Sequence, residues 1–370
     1  RILEDFLFVE DGGDEGDTYD YSWPTRDRIY ELRFQNAKAE LQSGDIADIL
    51  TLRGTWLLPQ SLQERESDQC TQELSYELQL QLDHKDLIRC ELHVNNTAAE
   101  HRMRVICRGL SSSDSSIADT PFGTIRRKHD PKHMDDWREA GYREEPSPIY
   151  PFLHHVSNGD GPILTCFSKG IKEYEILRHT DIALTLFRSV PLLGKPDLNR
   201  RPGIASGNEF KYIPTPKSEL RQRMSFAFAL CYRREYHAME LQKAWLCYAN
   251  ESLYYQLQEM NRFVNTQKYF VTHPYPQAIQ PLTKGLLNMD DSTVLQFSSL
   301  YPLDEKHAAL RVYNSLNTTV SVDHLHCHTE HAQLVNMLHE KMTDVRLEQD
   351  ELTVQGLHPE EIRTYKIIVK

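Results

Sequence analysis

Leu74-Ser75-Tyr76-Glu77-Leu78-Gln79-Leu80-Gln81-Leu82 places an apolar residue at every second position. Successive side chains of a strand point to opposite faces, so the stretch has one apolar and one polar face and reads as a half-buried β-strand. After the polar break His84-Lys85-Asp86 the alternation resumes at Ile88, Cys90, Leu92 and Val94, and the two runs form the arms of a hairpin. Residues 103–107 supply a third strand. Residues 29–34, 150–156, 163–167, 182–190 and 224–232 add more, separated by stretches rich in Pro, Gly, Asn and Asp. The fold class expected is all-β, an antiparallel sandwich.

Helical periodicity is confined to residues 244–257. That segment and the proline-marked stretch 273–281 look like a crossing to a second unit, with strands at 293–300, 309–316, 320–325 and 364–369. The expected division is a large domain over 1–284 and a small one over 285–370. No repeat of solenoid or propeller period is present. The Ser-rich stretch 111–116 reads as a loop, because Ser and Asp compete locally for backbone hydrogen bonds.

The 370 residues exceed one ordinary domain, which agrees with two units. A net charge of -12 repels nucleic acid and anionic lipid, so neither is expected as the main partner. Seven cysteines, with no CxxC pair and an odd total, argue against a disulfide framework and favour a reducing cytoplasm. No apolar run is long enough to span a bilayer, and the first residues lack the pattern of a signal peptide.

The densest functional stretch is EDGGDEGDTYDYSWP, residues 10–24. Its glycines let the backbone turn sharply and bring several carboxylates and two phenols towards one point. Carboxylates accept from hydroxyl pairs and aromatic faces pack on the C–H side of a pyranose, so a sugar-facing loop is one reading. A solvated acidic turn is the second. A calcium loop is the third, although Asp11, Asp14, Asp17 and Asp20 lack the EF-hand spacing.

This string resembles the GDxxDYSPP-type segment of bacterial glycoside hydrolase family 38 α-mannosidases and mannosylglycerate hydrolases. Four later strings are similar to that family in the same order: DTPFG at 119–123, SKGIKEYEI at 168–176, IALTLFRSV at 182–190 and PEEIRTYKI at 359–367. The resemblance implies a large galactose-mutarotase-like super-sandwich followed by a smaller C-terminal β-sandwich, with a few strands preceding Arg1. It implies that Tyr19 approaches the bound mannose, with Asp14, Asp17 and Asp20 lining the cleft or orienting it. A retaining mechanism needs two carboxyls about 5 Å apart. The family's nucleophilic Asp and its zinc or other divalent cation belong to an N-terminal α/β domain that nothing in these residues matches. No catalytic residue and no metal ligand is therefore assigned here.

Three further groups carry a weaker signal. His324, His326 and His328, with His331 following, share a strand face and form a zinc candidate, or a plain polar strand end. Lys169, Lys172, Arg188, Arg200 and Arg201 are donors for an anionic substrate or ordinary surface cations; Lys169 and Arg188 lie in the matched strings. Trp137, Tyr142, Tyr150 and Phe152 form a sugar platform or close a core.

The leading expectation is the C-terminal part of an exo-acting retaining α-mannosidase hydrolysing α-mannosides or (phospho)mannosylglycerate. The substrate-binding candidates are Tyr19, Asp14, Asp17, Asp20, Lys169 and Arg188. Its partners would be its own N-terminal catalytic region, or a second chain carrying it, and copies of itself. The alternative is a non-catalytic carbohydrate-binding or adhesion module with a calcium-assisted loop.

Overall fold

The structure, a computed structural model, describes residues 6–82, 87–204, 213–250, 287–288, 294–327, 329–348 and 351–369. The chain divides into two compact units, Arg1–His237 and Ala238–Lys370. The break expected at 284/285 and the crossing at 273–281 lie outside the described residues. No helix among the described residues is long and apolar enough to cross a membrane.

Among the described residues the first unit holds seventeen strands. In chain order they are β1 (Leu7–Gly13), β2 (Tyr30–Leu32), β3 (Lys38–Ser43), β4 (Asp48–Leu58), β5 (Gln72–Leu82), β6 (Ile88–Asn95), β7 (His101–Cys107), β8 (Ser115–Thr120) and β9 (Gly123–Lys128). There follow β10 (Ile149–Pro151), β11 (His155–Asn158), β12 (Ile163–Ser168), β13 (Glu173–Leu177), β14 (Asp181–Ser189), β15 (Leu192–Leu193), β16 (Ile213–Pro214) and β17 (Arg223–Arg233). A five-residue helix α1, Leu62–Glu66, links β4 to β5. A six-stranded sheet runs β10-β13-β14-β7-β1-β2 and a nine-stranded sheet β3-β4-β5-β6-β17-β12-β11-β8-β9, every pairing antiparallel. Apolar residues of both sheets, among them Leu7, Met103 and Leu184 from one and Leu78, Leu92 and Phe228 from the other, share one core. That is a sandwich.

The second unit begins with α2, Ala238–Ala249. Its strands are β18 (Leu287–Asn288), β19 (Gln296–Pro302), β20 (His307–Tyr313), β21 (Val320–Cys327), β22 (Ala332–Val335), β23 (Lys341–Val345), β24 (Leu347–Glu348), β25 (Glu351–Leu357) and β26 (Ile362–Ile368). Among the described residues they form sheets of four and five strands, β18-β21-β25-β24 and β19-β20-β26-β22-β23. Leu310 and Val312 from one sheet and Leu325 and Val354 from the other close a separate core.

The all-β class is the one the alternation dictates. β5 and β6 pair in the expected hairpin, with Leu74, Leu78, Leu92 and Val94 all buried. Other expectations shift. Residues 150–156 split into β10 and β11, the 29–34 strand shrinks to three residues, and Ser115 and Ser116 begin β8 instead of ending a loop. The helix expected over 244–257 starts earlier, at Ala238, and residues 251–257 lie outside the described ones. The acidic stretch is strand up to Gly13.

Gly54 on β4 stands opposite Tyr76 on β5, and a Cβ there would meet the Tyr76 hydroxyl at 2.6 Å and its Cζ at 2.8 Å. The Tyr76 ring is not free to give way. It stacks on Trp56 at 4.1 Å between centroids and meets Phe34 edge-on, while Trp56 Nε1 donates to the Arg33 carbonyl at 3.0 Å. Gly54→Ala is therefore expected to destabilise the chain by about 1–3 kcal/mol through overpacking. Urea unfolding followed by tryptophan fluorescence checks this.

Candidate functional site

Antiparallel register places the acidic loop. β1 pairs with β7 so that Glu10 faces Arg104 and Gly13 faces His101, and β14 sets Arg188 opposite Arg102. The loop therefore leaves the sheet at Asp14, where β1 ends, β7 begins and β14 ends.

Asp11, Asp14 and Asp17 are fully buried. A bare carboxylate withdrawn from water costs several kcal/mol, so each needs a partner. Asp11 pairs with Arg65 of α1 and lies 2.5 Å from His101 Nδ1, whose other ring nitrogen is 3.1 Å from Asn96 Oδ1. Burial pushes the Asp11 carboxyl up, but His101 and Arg65 together outweigh it and hold the group below the usual range. Asp14 accepts from Arg188 Nε at 2.6 Å and from the Gly16 amide at 2.9 Å. Asp17 accepts from the amides of Tyr19, Asp20 and Lys195 at 3.0, 3.1 and 2.8 Å, and from Arg201 Nη2 at 2.7 Å.

Arg188 is the hub of the loop. Its Nη2 also donates to the carbonyls of Asp17 and Asp20 at 2.8 and 2.7 Å. The backbone closes so tightly here that a Cβ on Gly16 would meet the Asp20 carbonyl at 2.2 Å and Arg188 Nη2 at 2.8 Å, which is why position 16 holds glycine. Tyr19 stands on the outside of this knot, 60% exposed. Asp20 is half-buried, 3.9 Å from Arg200, which also lies 3.3 Å from Glu145. Tyr21 lies over Arg102, 3.6 Å from guanidinium carbon to ring centre.

The structure thus brings together five of the six substrate-binding candidates: Tyr19, Asp14, Asp17, Asp20 and Arg188. Lys169 is not among them. It follows the last residue of β12 on the nine-stranded sheet, exposed, with its amide on the Ala227 carbonyl at 3.0 Å. Arg188, Arg200 and Arg201, read from sequence as donors for an anionic substrate, instead face the carboxylates of Asp14, Glu145 and Asp17. A calcium loop needs carboxylate oxygens open to a cation; those of Asp11, Asp14 and Asp17 already accept from cationic side chains and amides. Sequence reasoning missed Arg65, His101 and Lys195. The one signal available was that three Asp in a folded segment must each find a donor.

The later matched strings hold structural pins. Asp119 Oδ1 accepts the amides of Leu153, His154 and His155 at 3.2, 2.7 and 2.8 Å, tying β8 to the β10–β11 connection. Tyr174 sets its hydroxyl 2.9 Å from Ser116 Oγ across the core, and Glu361 accepts the His358 amide at 2.7 Å. His324 and His326 are exposed and share Glu351 at 3.6 and 3.3 Å, while His331 lies 3.5 Å from Asp344. His328 is outside the described residues, and among the described ones no group of three acidic, His or Cys side chains is placed to hold a metal ion. Phe152 packs into the core against Tyr174, whereas Tyr142 is exposed, so the aromatic set forms no single platform.

Breaking a buried pair leaves a bare charge, so Arg188→Ala and Asp14→Ala are each expected to cost about 3–5 kcal/mol. Arg188→Ala/Asp14→Ala is expected to cost less than their sum, and a double-mutant cycle in urea measures the coupling. The pH dependence follows from other buried groups. Burial lowers the pKa of His155 and of His129, and the amides and imidazoles around Asp119 outweigh its burial and lower that of its carboxyl. With folded pKa values below unfolded ones, the unfolded chain binds more protons. Stability is therefore complete above about pH 6.5, declines as the histidines protonate, and falls again below about pH 4 as Asp119 and Asp11 do. Thermal melts from pH 8 to pH 3 check both limbs.

No family model matches the chain, and no curated protein matches it. Among solved structures, an α-mannosidase from Enterococcus faecalis V583 aligns over 98% of this chain and 38% of its own, with a TM-score of 0.71 at 20% identity. A glycosyl hydrolase family 38 protein from Enterococcus faecalis aligns over 98% of this chain and 40% of its own, with a TM-score of 0.68 at 19% identity. The chain thus spans about two fifths of the length of these structures, and at such identity the likeness is one of fold. It is the likeness that the five sequence strings announce: the chain has the all-β fold found in part of these glycosyl hydrolase family 38 structures.

Proposed function

We propose that the chain is the β-rich part of an exo-acting retaining α-mannosidase, and that it braces a catalytic region lying outside it and lends one wall to the sugar pocket. The observation that carries this reading is the fold likeness to an α-mannosidase over 98% of the chain. The loop supports it: buried ion pairs hold a segment whose exposed crest is a phenol, a group that both packs on a pyranose and hydrogen-bonds its hydroxyls.

In this reading Tyr19 meets the sugar. Asp14, Asp17 and Arg188 hold the loop that carries it, and Asp20 flanks it. Because the guanidiniums of Arg188 and Arg201 are committed to buried carboxylates, the geometry favours a plain mannoside over a phosphorylated one. The same pairing makes the loop carboxylates poor candidates for nucleophile or proton donor, which must change charge during turnover. Among the described residues no group of three acidic, His or Cys side chains is placed to hold a cation. The proposal places the catalytic carboxyls and any zinc elsewhere in the complete protein.

The test compares two proteins on an aryl α-mannoside. In the complete protein, Tyr19→Phe removes one hydrogen bond to the sugar and is expected to lower kcat/KM by about two- to tenfold. The 370-residue chain alone is expected to show no turnover. Unchanged kinetics in Tyr19→Phe would sink the role of Tyr19, and turnover by the chain alone would sink the bracing role.

A further inference from the structure

On the nine-stranded sheet, away from the acidic loop, there is a cleft of about 280 Å3 that no part of the proposed function uses. β8 turns Ser116 towards the core, where it meets Tyr174, and Ala118 is part of that core. Ser115 and Ile117 therefore face the opposite side, and they line the cleft together with Arg126 of β9. The turn Gly159-Asp160-Gly161 between β11 and β12 closes one side, and Arg234, Glu235 and Tyr236, which follow β17, close another.

The chemistry of this lining is specific. Arg126 and Arg234 balance Asp160 and Glu235, so the cleft carries no net charge. It nevertheless holds strong donors and strong acceptors side by side. Arg126 Nη1 donates to Ser115 Oγ at 3.0 Å, and Asp160 Oδ1 accepts from Ser113 Oγ at 3.1 Å, while Asp160 Oδ2 has no partner among the described residues. Arg234 is exposed and has no ion-pair or hydrogen-bond partner among them either. Ile117, Ile163 and Tyr236 add apolar contact.

A polyol can meet a carboxylate and a guanidinium at once, without charge and with an apolar side. Each sugar hydroxyl both donates and accepts, and the C–H face of a pyranose suits an aromatic or branched aliphatic wall. About 280 Å3 lies just under the usual range of about 300–1,000 Å3 for small-molecule sites, so there is room for one ring with the glycan continuing into solvent. We infer that this cleft is an accessory saccharide-binding site, with Asp160 and Arg234 taking neighbouring hydroxyls of one hexose of a neutral glycan. The choice of hexose, mannose, rests on the proposed α-mannosidase reading. In the complete protein such a site would hold a branched or extended glycan while another of its ends is cut.

The experiment titrates methyl α-D-mannoside and an α-linked mannose disaccharide into the 370-residue chain, followed by saturation-transfer NMR. Millimolar binding is expected, weakened about tenfold or more in Arg234→Ala and in Asp160→Asn. Arg234→Ala removes no hydrogen bond or ion pair among the described residues, and Asp160→Asn keeps an acceptor for Ser113, so both variants are expected to melt like the parent. Binding undiminished in both cleft variants overturns the site, as does a chain that binds neither sugar. The two readings fail separately. If the complete protein cleaves an aryl α-mannoside while the chain binds nothing, the cleft proposal alone falls. If the chain binds sugar through Asp160 and Arg234 but the complete protein cleaves no mannoside, the site stands and the mannosidase reading falls.

Discussion

Arg188, next to last in β14, sets its guanidinium 2.6 Å from the Asp14 carboxylate, with two backbone carbonyls of the loop held against the same group. A pair of this kind adds little net stability over an apolar substitute, because removing both charges from water offsets most of their attraction. What it imposes is specificity, since any other path of the loop leaves a buried charge alone. Arg188 reaches Asp14 only through an irregularity in the sheet. Register between β14 and β7 shifts between Thr185 and Phe187, with the result that Leu186 and Phe187 both turn into the core. Strict alternation after Leu186 would have sent Phe187 outwards and Arg188 inwards. The bulge adds one residue and re-aims the arginine.

The same feature marks where sequence reading stops. The β5 and β6 pattern was legible because each leucine finds its burial locally, within a strand and its hairpin partner. In Ile182-Ala183-Leu184-Thr185-Leu186-Phe187-Arg188 the period breaks at two adjacent apolar residues, and nothing local says which way the strand resumes. β3 shows the opposite failure: all six of its residues are exposed, so its place beside β4 rests on backbone pairing that leaves no side-chain pattern. β1 is buried although it carries Glu10 and Asp11. Its acceptability depends on Arg65, 54 residues further along, and on His101, 90 residues further, which no windowed reading can supply. For the candidate site, the stretch itself was legible as a place where carboxylates converge. That the carboxylates serve the fold, and that the exposed group is a phenol, depends on partners from three other segments of the chain.

The outer face of the six-stranded sheet explains why a loop is needed there at all. Arg102 and Arg104 stand side by side on β7, both buried, with Glu10 on one flanking strand of Arg104 and Glu175 2.5 Å from its Nη1. Burial and the neighbouring Arg104 lower the pKa of Arg102, whose nearest carboxylate oxygen is 4.0 Å away. The compensation comes from the π face of Tyr21, laid over it by the loop. The cover is thus part of the folding unit, because removing it would expose a sheet face built for low dielectric and uncover its ion pairs. Tyr19 lies two residues from Tyr21, so the anchoring of one phenol over Arg102 fixes the backbone that presents the other. A ligand meeting Tyr19 encounters a group ordered when the sandwich folds, and the entropy of ordering that loop does not weigh against binding.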